Sequence, residues 1–218
     1  MINSFGILLW KSDSMAKEKD ITTEAKIKSA AKVVFHRKGF AATRTRDIAE
    51  EAGINLALLN YYFRSKQKLF EIVMFETMFS FMQSMSLVFN DEESSLDDKI
   101  RKVVEKYTHK ILSEPEVPLF ILSELRNDAA GFMERLPITE MLMDSKFIHQ
   151  IEEEMNAGRI KKMNPLHLVV NLMSMIVFPF VGSPLVSKLG GFNKKGFEEF
   201  MLERKELVPQ WWRLMFAP

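Results

Sequence analysis

The 218-residue chain is 47% hydrophobic and 27% charged, carries 18 Phe, 15 Met and no Cys, and has a formal net charge of +1. That length allows one large domain or two small ones with a substantial core. The lack of Cys excludes a disulfide framework, a Cys-based zinc site and a Cys nucleophile, and fits a reducing cytosol. The net charge hides an asymmetry: residues 21–66 hold nine Lys/Arg against four acids, so +5; residues 1–20 balance, which leaves −4 for residues 67–218. A basic head on an acidic body is the footprint of a protein that meets a polyanion at one end.

Residues 1–20 form a leader with no assigned function. Its apolar run Phe5–Trp10 is too short to span a bilayer and lacks a preceding basic region. A first helix is predicted over Thr23–Lys38, because Ile27, Ala30, Ala31, Val34 and Phe35 recur at helical spacing and Gly39 closes it. Two short helices follow. Thr43 is the predicted N-cap of the first, Asp47 suits its positive end, and Ile48, Ala49 and Ala52 form its buried stripe. Gly53 then supplies a left-handed stop, and Asn55 caps a second helix that turns Leu58, Leu59 and Tyr62 inward. Two helices joined so tightly through a glycine turn form a helix-turn-helix, whose second helix enters the DNA major groove.

The run from Thr23 to Leu69 resembles the DNA-binding domain of the TetR (tetracycline repressor) family of transcriptional regulators. The resemblance rests on Ala31, Phe35, Gly39-Phe40, Thr43, Asp47-Ile48-Ala49, Ala52-Gly53-Ile54, Leu59, Phe63 and Ser65-Lys66. It implies an all-α protein: an N-terminal three-helix helix-turn-helix domain over residues 21–68, then a helical effector-binding and dimerisation domain over residues 69–218. Carried over position by position, it implies DNA contacts from Arg44, Thr45 and Arg46 at the second helix and from Asn55, Leu56, Ala57 and Asn60 on the recognition helix. Tyr61, Tyr62 and Lys66 match positions that often touch the backbone. Ala57, Asn60 and Tyr62 depart from the frequent Gly, Tyr and His of the family, which bears on the target sequence.

In the body, a long apolar helix is expected from Ser65 to about Asn90. Helices follow over Leu96–Leu112 (capped by Ser94 or Ser95), Leu119–Arg126, Ile138–Asn156, Leu166–Val181 and Gly196–Phe216. Asn127–Pro137 and Lys188–Lys195 read as irregular segments, and Pro179 and Pro184 as kinks or stops. Asn164-Pro165 is a clean helix start. The family resemblance implies a homodimer through the last two long helices, here Leu166–Val181 and Phe197–Phe216, and an effector pocket, for which Phe79, Met82, Phe120, Met143 and Phe147 are the candidate lining.

No catalytic constellation is present. His36, His109, His149 and His167 are scattered, and there is no Gly-rich phosphate loop or nucleophile elbow. The expectation is therefore a non-enzymatic, cytoplasmic, ligand-responsive regulator that binds double-stranded operator DNA and a small-molecule effector, with no cofactor, no metal and no membrane partner. The alternative is a helical small-molecule-binding or interaction protein without DNA-binding activity. Retention on a polyanion column, lost steeply with salt, separates the two.

Overall fold

The structure, a computed structural model, describes residues 4–136 and 138–216, with side chains described from residue 22 onward. The side chains of the leader therefore lie outside the described residues. Among these residues the chain forms eleven helices and no strand. They fall into two compact units, residues 1–76 and 77–218, divided inside a helix rather than at residue 68.

The first unit holds α1 (Ser4–Ala42), α2 (Thr45–Ala52), α3 (Leu56–Tyr62) and the start of α4 (Lys66–Phe89). The stripe Ile27, Ala30, Ala31, Val34 and Phe35 is buried as its spacing requires, and Ile48, Ala49, Ala52, Leu59, Phe63, Leu69, Phe70, Val73 and Met74 are buried in the same unit. Phe70 anchors this core, with its ring 5.0 Å from Phe35 and 4.7 Å from Phe40. At Gly39 the backbone turns to φ 72°, ψ 165°, a conformation for which glycine is suited, and breaks α1 there.

The second unit holds the rest of α4, then α5 (Leu96–Ser113), α6 (Val117–Arg135), α7 (Ile138–Met143) and α8 (Lys146–Asn156). It ends with α9 (Pro165–Val181), α10 (Ser183–Gly190) and α11 (Lys194–Met215). Its core joins Met85, Val88 and Phe89 of α4 to Ile100, Val103 and Val104 of α5, Ile151 of α8, Leu168 and Leu172 of α9, and Trp212 of α11. The Trp212 indole N–H donates to the Leu168 carbonyl at 3.3 Å, which satisfies its one polar atom inside this core.

Several boundaries differ from the sequence expectation, beginning with the first helix, expected over Thr23–Lys38 and observed over Ser4–Ala42. Of the expected irregular segment Asn127–Pro137, the part up to Arg135 is helical: α6 breaks at Asp128 (φ −155°, ψ 79°) and resumes, because the Asp128 carboxylate accepts the Gly131 N–H at 3.0 Å as a cap does. Ile138–Asn156 is two helices, since the Ser145 hydroxyl accepts the Ile148 N–H and starts α8 afresh. Part of the expected linker Lys188–Lys195 is the end of α10, whose Pro184 sits in the first turn where its missing N–H costs nothing. Pro179, expected to kink or end α9, lies within it.

One buried charge holds the entry to α5. Lys99 is fully buried, and its ammonium donates to the Ser94 carbonyl and hydroxyl, each at 2.9 Å, and to the Asp91 carbonyl. Burial lowers its pKa from the usual lysine value, against the opposing attraction of Asp91. Lys99→Ala is expected to lower stability by about 1–3 kcal/mol, because those acceptors lose their donor. Urea unfolding monitored by circular dichroism checks this, and an unchanged midpoint would show that water replaces the ammonium.

Candidate nucleic-acid interface

The helix-turn-helix is assembled by caps. The predicted N-cap Thr43 is instead a brace on the preceding helix: its hydroxyl donates to the Gly39 carbonyl at 2.7 Å, left open where α1 breaks. Arg44 occupies the N-cap position of α2, and its backbone N–H donates to the Asp47 carboxylate at 2.9 Å. The Lys38 ammonium lies on the same carboxylate at 3.0 Å. The Arg44 N–H first, then Lys38, hold the Asp47 pKa below its ordinary value. Gly53 ends α2 at φ 64°, ψ 38°, and the Ile54 N–H returns to the Ala49 carbonyl at 3.0 Å. The Asn55 side chain then accepts the Leu58 N–H at 2.8 Å and starts α3.

With only two turns, α3 buries one residue of its own, Leu59, with Phe63 buried just beyond its end. Leu58, expected inward, is 36% exposed, and Tyr62 is half-buried. Leu58 sits about 100° around the helix from Leu59, and only Leu59 is turned fully into the core of the head. Ala57, Asn60 and Tyr61 are exposed, Tyr61 at 77%, and Leu56 is half-buried. The Tyr61 ring stands edge-on to Tyr62, with centroids 5.4 Å apart. Asn55 is exposed but its oxygen is committed to the cap, whereas the Asn60 amide has no partner among the described residues. Arg44 and Arg46 are exposed, Thr45 is half-buried, and neither guanidinium has an ion-pair partner among the described residues.

Lys28 and Arg37, by contrast, are paired. Lys28 meets Glu76 at 2.6 Å and Glu24 at 3.3 Å, and the Glu76 bond chiefly raises its pKa above the usual value. Arg37 meets Glu51 at 3.0 Å. Lys26 is exposed, with its ammonium close to Gly53 at the turn between α2 and α3.

Lys66, expected on phosphate, is turned inward. Its ammonium donates to the carbonyls of Phe40 at 2.8 Å and Thr43 at 2.9 Å, and sits 4.2 Å from the Phe40 ring centroid. A half-buried ammonium with two carbonyls and a ring face is a brace between α4 and the chain leaving α1. The sequence signal for this was the Gly39 break, which leaves carbonyls needing a donor.

The candidate pocket residues of the body differ in burial. Phe147 is core, stacked on Phe89 at 5.4 Å, and Phe120 is buried. Met82 is half-buried, and Phe79 and Met143 are exposed. A separate cleft of about 590 Å³ lies between α5 and α11, lined by residues that include Arg101, Glu105, Lys205 and Pro209, and by none of those five. Sequence reasoning missed a polar cluster on α5: Tyr107 packs edge-on to Phe81 at 4.8 Å, and Lys110 pairs with Glu114 at 2.9 Å. Burial pushes the Tyr107 phenol up from its ordinary pKa. The apolar α5 stripe concealed it, because a tyrosine there reads as core.

Residues 27–73 match the family described as bacterial regulatory proteins, tetR family. The chain is 26% identical over 172 residues to a Bacillus subtilis protein described as "Probable HTH-type transcriptional regulator YttP", covering 78% of this chain and 82% of that one. In fold it is similar to a TetR transcription regulator from Haloarcula marismortui (TM-score 0.64, 13% identity, covering 90% of this chain and 99% of the other). It is also similar to the transcriptional regulator FadR of Bacillus subtilis, solved in complex with stearoyl-CoA (TM-score 0.53, 18% identity, 84% and 96% covered).

Lys66→Ala is expected to destabilise the head by about 1–3 kcal/mol through two unserved carbonyls, and to leave the salt slope of DNA binding unchanged. Thermal unfolding alongside a salt titration checks both. Wild-type stability with a shallower slope would return Lys66 to the phosphate-contacting set.

Proposed function

Because this chain belongs to the TetR family of bacterial transcriptional regulators, we propose that it represses transcription as a homodimer on a palindromic operator and releases the DNA when a small molecule binds its body. The observation that carries the DNA contact is the division of α3: Leu59 is buried in the head, while Ala57, Asn60 and Tyr61 are left open. Ala57 is short enough for the helix to approach base edges. Arg44, Arg46 and Lys26 are cations free to neutralise phosphate, and the tyrosines Tyr61 and Tyr62 carry hydroxyls suited to it. Thr45, Leu56 and Asn55 line the same short segments, Asn55 chiefly as the cap that fixes the start of α3.

Two-fold symmetry requires half-sites on one face of the duplex, about 34–36 Å or a multiple apart. Selection of bound sequences from random DNA tests this, and a single asymmetric site bound by monomers would overturn it. Dimer contact is assigned to α9 and α11, whose outward residues Val170, Phe178 and Leu214 are more than half exposed in the single subunit. For the effector, the likeness to a regulator that holds stearoyl-CoA, together with the Phe- and Met-rich body, supports an apolar ligand. Release of operator DNA by fatty acyl-CoA, and by no polar metabolite of similar charge, is the expected outcome of a mobility-shift titration.

Asn60 offers a donor and an acceptor side by side, which matches adenine N6 and N7 in the major groove. Asn60→Ala is expected to cost about 1–3 kcal/mol on the selected site and to relax preference at one symmetric position. Equal loss on every sequence would make Asn60 a backbone contact. Arg46→Ala is expected to weaken specific and random DNA alike and to lower the salt slope by about one unit per subunit, measured by fluorescence anisotropy across a salt series.

A further inference from the structure

Two long helices of the body carry a proline in their interior, Pro179 in α9 and Pro209 in α11. A proline has no N–H, so each leaves the carbonyl four residues earlier without its helical donor. In α9 that carbonyl belongs to Met175, and the Arg204 guanidinium of α11 donates to it at 2.9 Å. In α11 it belongs to Lys205, and no side chain donates to it among the described residues. One opening is closed from a neighbouring helix, and the other is not.

The open carbonyl lies in the wall of the cleft between α5 and α11, because Lys205 and Pro209 both line it. The two helices run antiparallel there. Asp97 at the start of α5 pairs with Arg213 near the end of α11, and Glu105 and Lys205 stand equally far inward from that pair on their helices. At about 1.5 Å of rise per residue the two lie level, roughly 12 Å from the ion pair. The cations of the cleft are taken: Arg213 by Asp97, Arg101 by Asp98, and Lys205 by Glu206 at 3.4 Å. Gln210 gives its amide N–H to the Glu206 carbonyl at 3.0 Å, which leaves its side-chain oxygen without a donor among the described residues. Glu105 is exposed and has no partner among them. What the cleft has left to offer is therefore acceptors: a carboxylate, a backbone carbonyl and an amide oxygen. Ile100, Pro209 and Leu214 give it apolar surface beside them, and Leu214 is 74% exposed.

We propose that this cleft is a second small-molecule site and takes a primary aliphatic amine, its ammonium on the Glu105 carboxylate and the Lys205 carbonyl and its hydrocarbon along Ile100, Pro209 and Leu214. An alkylammonium carries three donors and no acceptor, which is what a set of open acceptors requires. The carboxylate supplies the charge that strengthens the bond, and the carbonyl supplies direction. The competing cation, the Lys205 ammonium, is held on Glu206. The cleft shares no residue with the candidate lining of the apolar effector pocket. A failure of acyl-CoA to release DNA therefore leaves this site standing, and the reverse holds as well.

The test titrates the full-length, isotope-labelled protein with n-butylamine hydrochloride at constant ionic strength and reads backbone amide shifts by two-dimensional NMR. Two probes serve as controls: n-butanol, which lacks the charge, and butyltrimethylammonium chloride, which keeps the charge but has no N–H. Saturable shifts around Glu105 and Lys205 are expected for butylamine, with both controls weaker by about tenfold or more. Glu105→Gln removes the charge from an exposed position, and Pro209→Ala returns an N–H to the Lys205 carbonyl while favouring the helix. Each is expected to fold, checked by circular dichroism, and to weaken butylamine about tenfold. Wild-type affinity in either variant overturns the proposal, as does butyltrimethylammonium binding as tightly as butylamine. So does a titration that shows no saturation by roughly 10 mM, where a millimolar site would be nearly full.

Discussion

The geometry of the DNA-binding head depends on how the chain leaves α1. Gly39 ends the regular helix, and the residues that follow carry carbonyls with no helical donor. Lys66, the first residue of α4, donates to those of Phe40 and Thr43, and the Thr43 hydroxyl donates to the carbonyl of Gly39 itself. The segment Phe40–Thr43 is thereby tied to α4 on one side and to α1 on the other. From it α2 departs at a fixed angle, and α3 follows through the Gly53 turn. A lysine used this way contributes orientation rather than a free surface charge, and its ammonium lies over the Phe40 ring.

The same economy of partners explains how a unit with nine basic residues in its helix-turn-helix region presents few of them. Lys28, Arg37, Lys38 and Lys66 are bound to acids or carbonyls within the unit. Lys26, Arg44, Arg46 and Arg64 have no such partner among the described residues. Formal charge counts the two groups alike, but a phosphate meets only the second without competing for it. The paired cations add to the long-range field, and the unpaired ones supply contact.

The fold class and the head were legible in the sequence because local signals there agree. Stripe spacing, the Gly53 stop and the Asn55 cap all point to the same two helices, and tertiary packing has nothing to overrule. What failed was the choice between equivalent polar groups. Thr43 looks like a cap, yet the break at Gly39 offers its hydroxyl a nearer acceptor, and Asp47 serves α2 from inside. Lys66 looks like a surface cation, and only the position of the Phe40 and Thr43 carbonyls shows otherwise. In the body, single residues at Asp128 and Ser145 decide whether a helix breaks, and both are ordinary residues in that role. The pocket residues were chosen by apolarity, a property that core and ligand lining share, so Phe147 was indistinguishable from what it is, a stacked core ring.

Pro179 and Arg204 are joined by an absence. The imide nitrogen of Pro179 leaves the Met175 carbonyl unserved, and the guanidinium answers from another helix. Replace Pro179 by any other residue and α9 can close its own bond, after which Arg204 is a charge without a role on that side. Replace Arg204 by a neutral residue and the proline becomes a defect. The two positions therefore constrain each other over generations: a lineage can lose both with little harm, while losing one selects against keeping the other. Correlated substitution at residues 179 and 204, across 25 positions of chain, is the historical trace such a bond leaves.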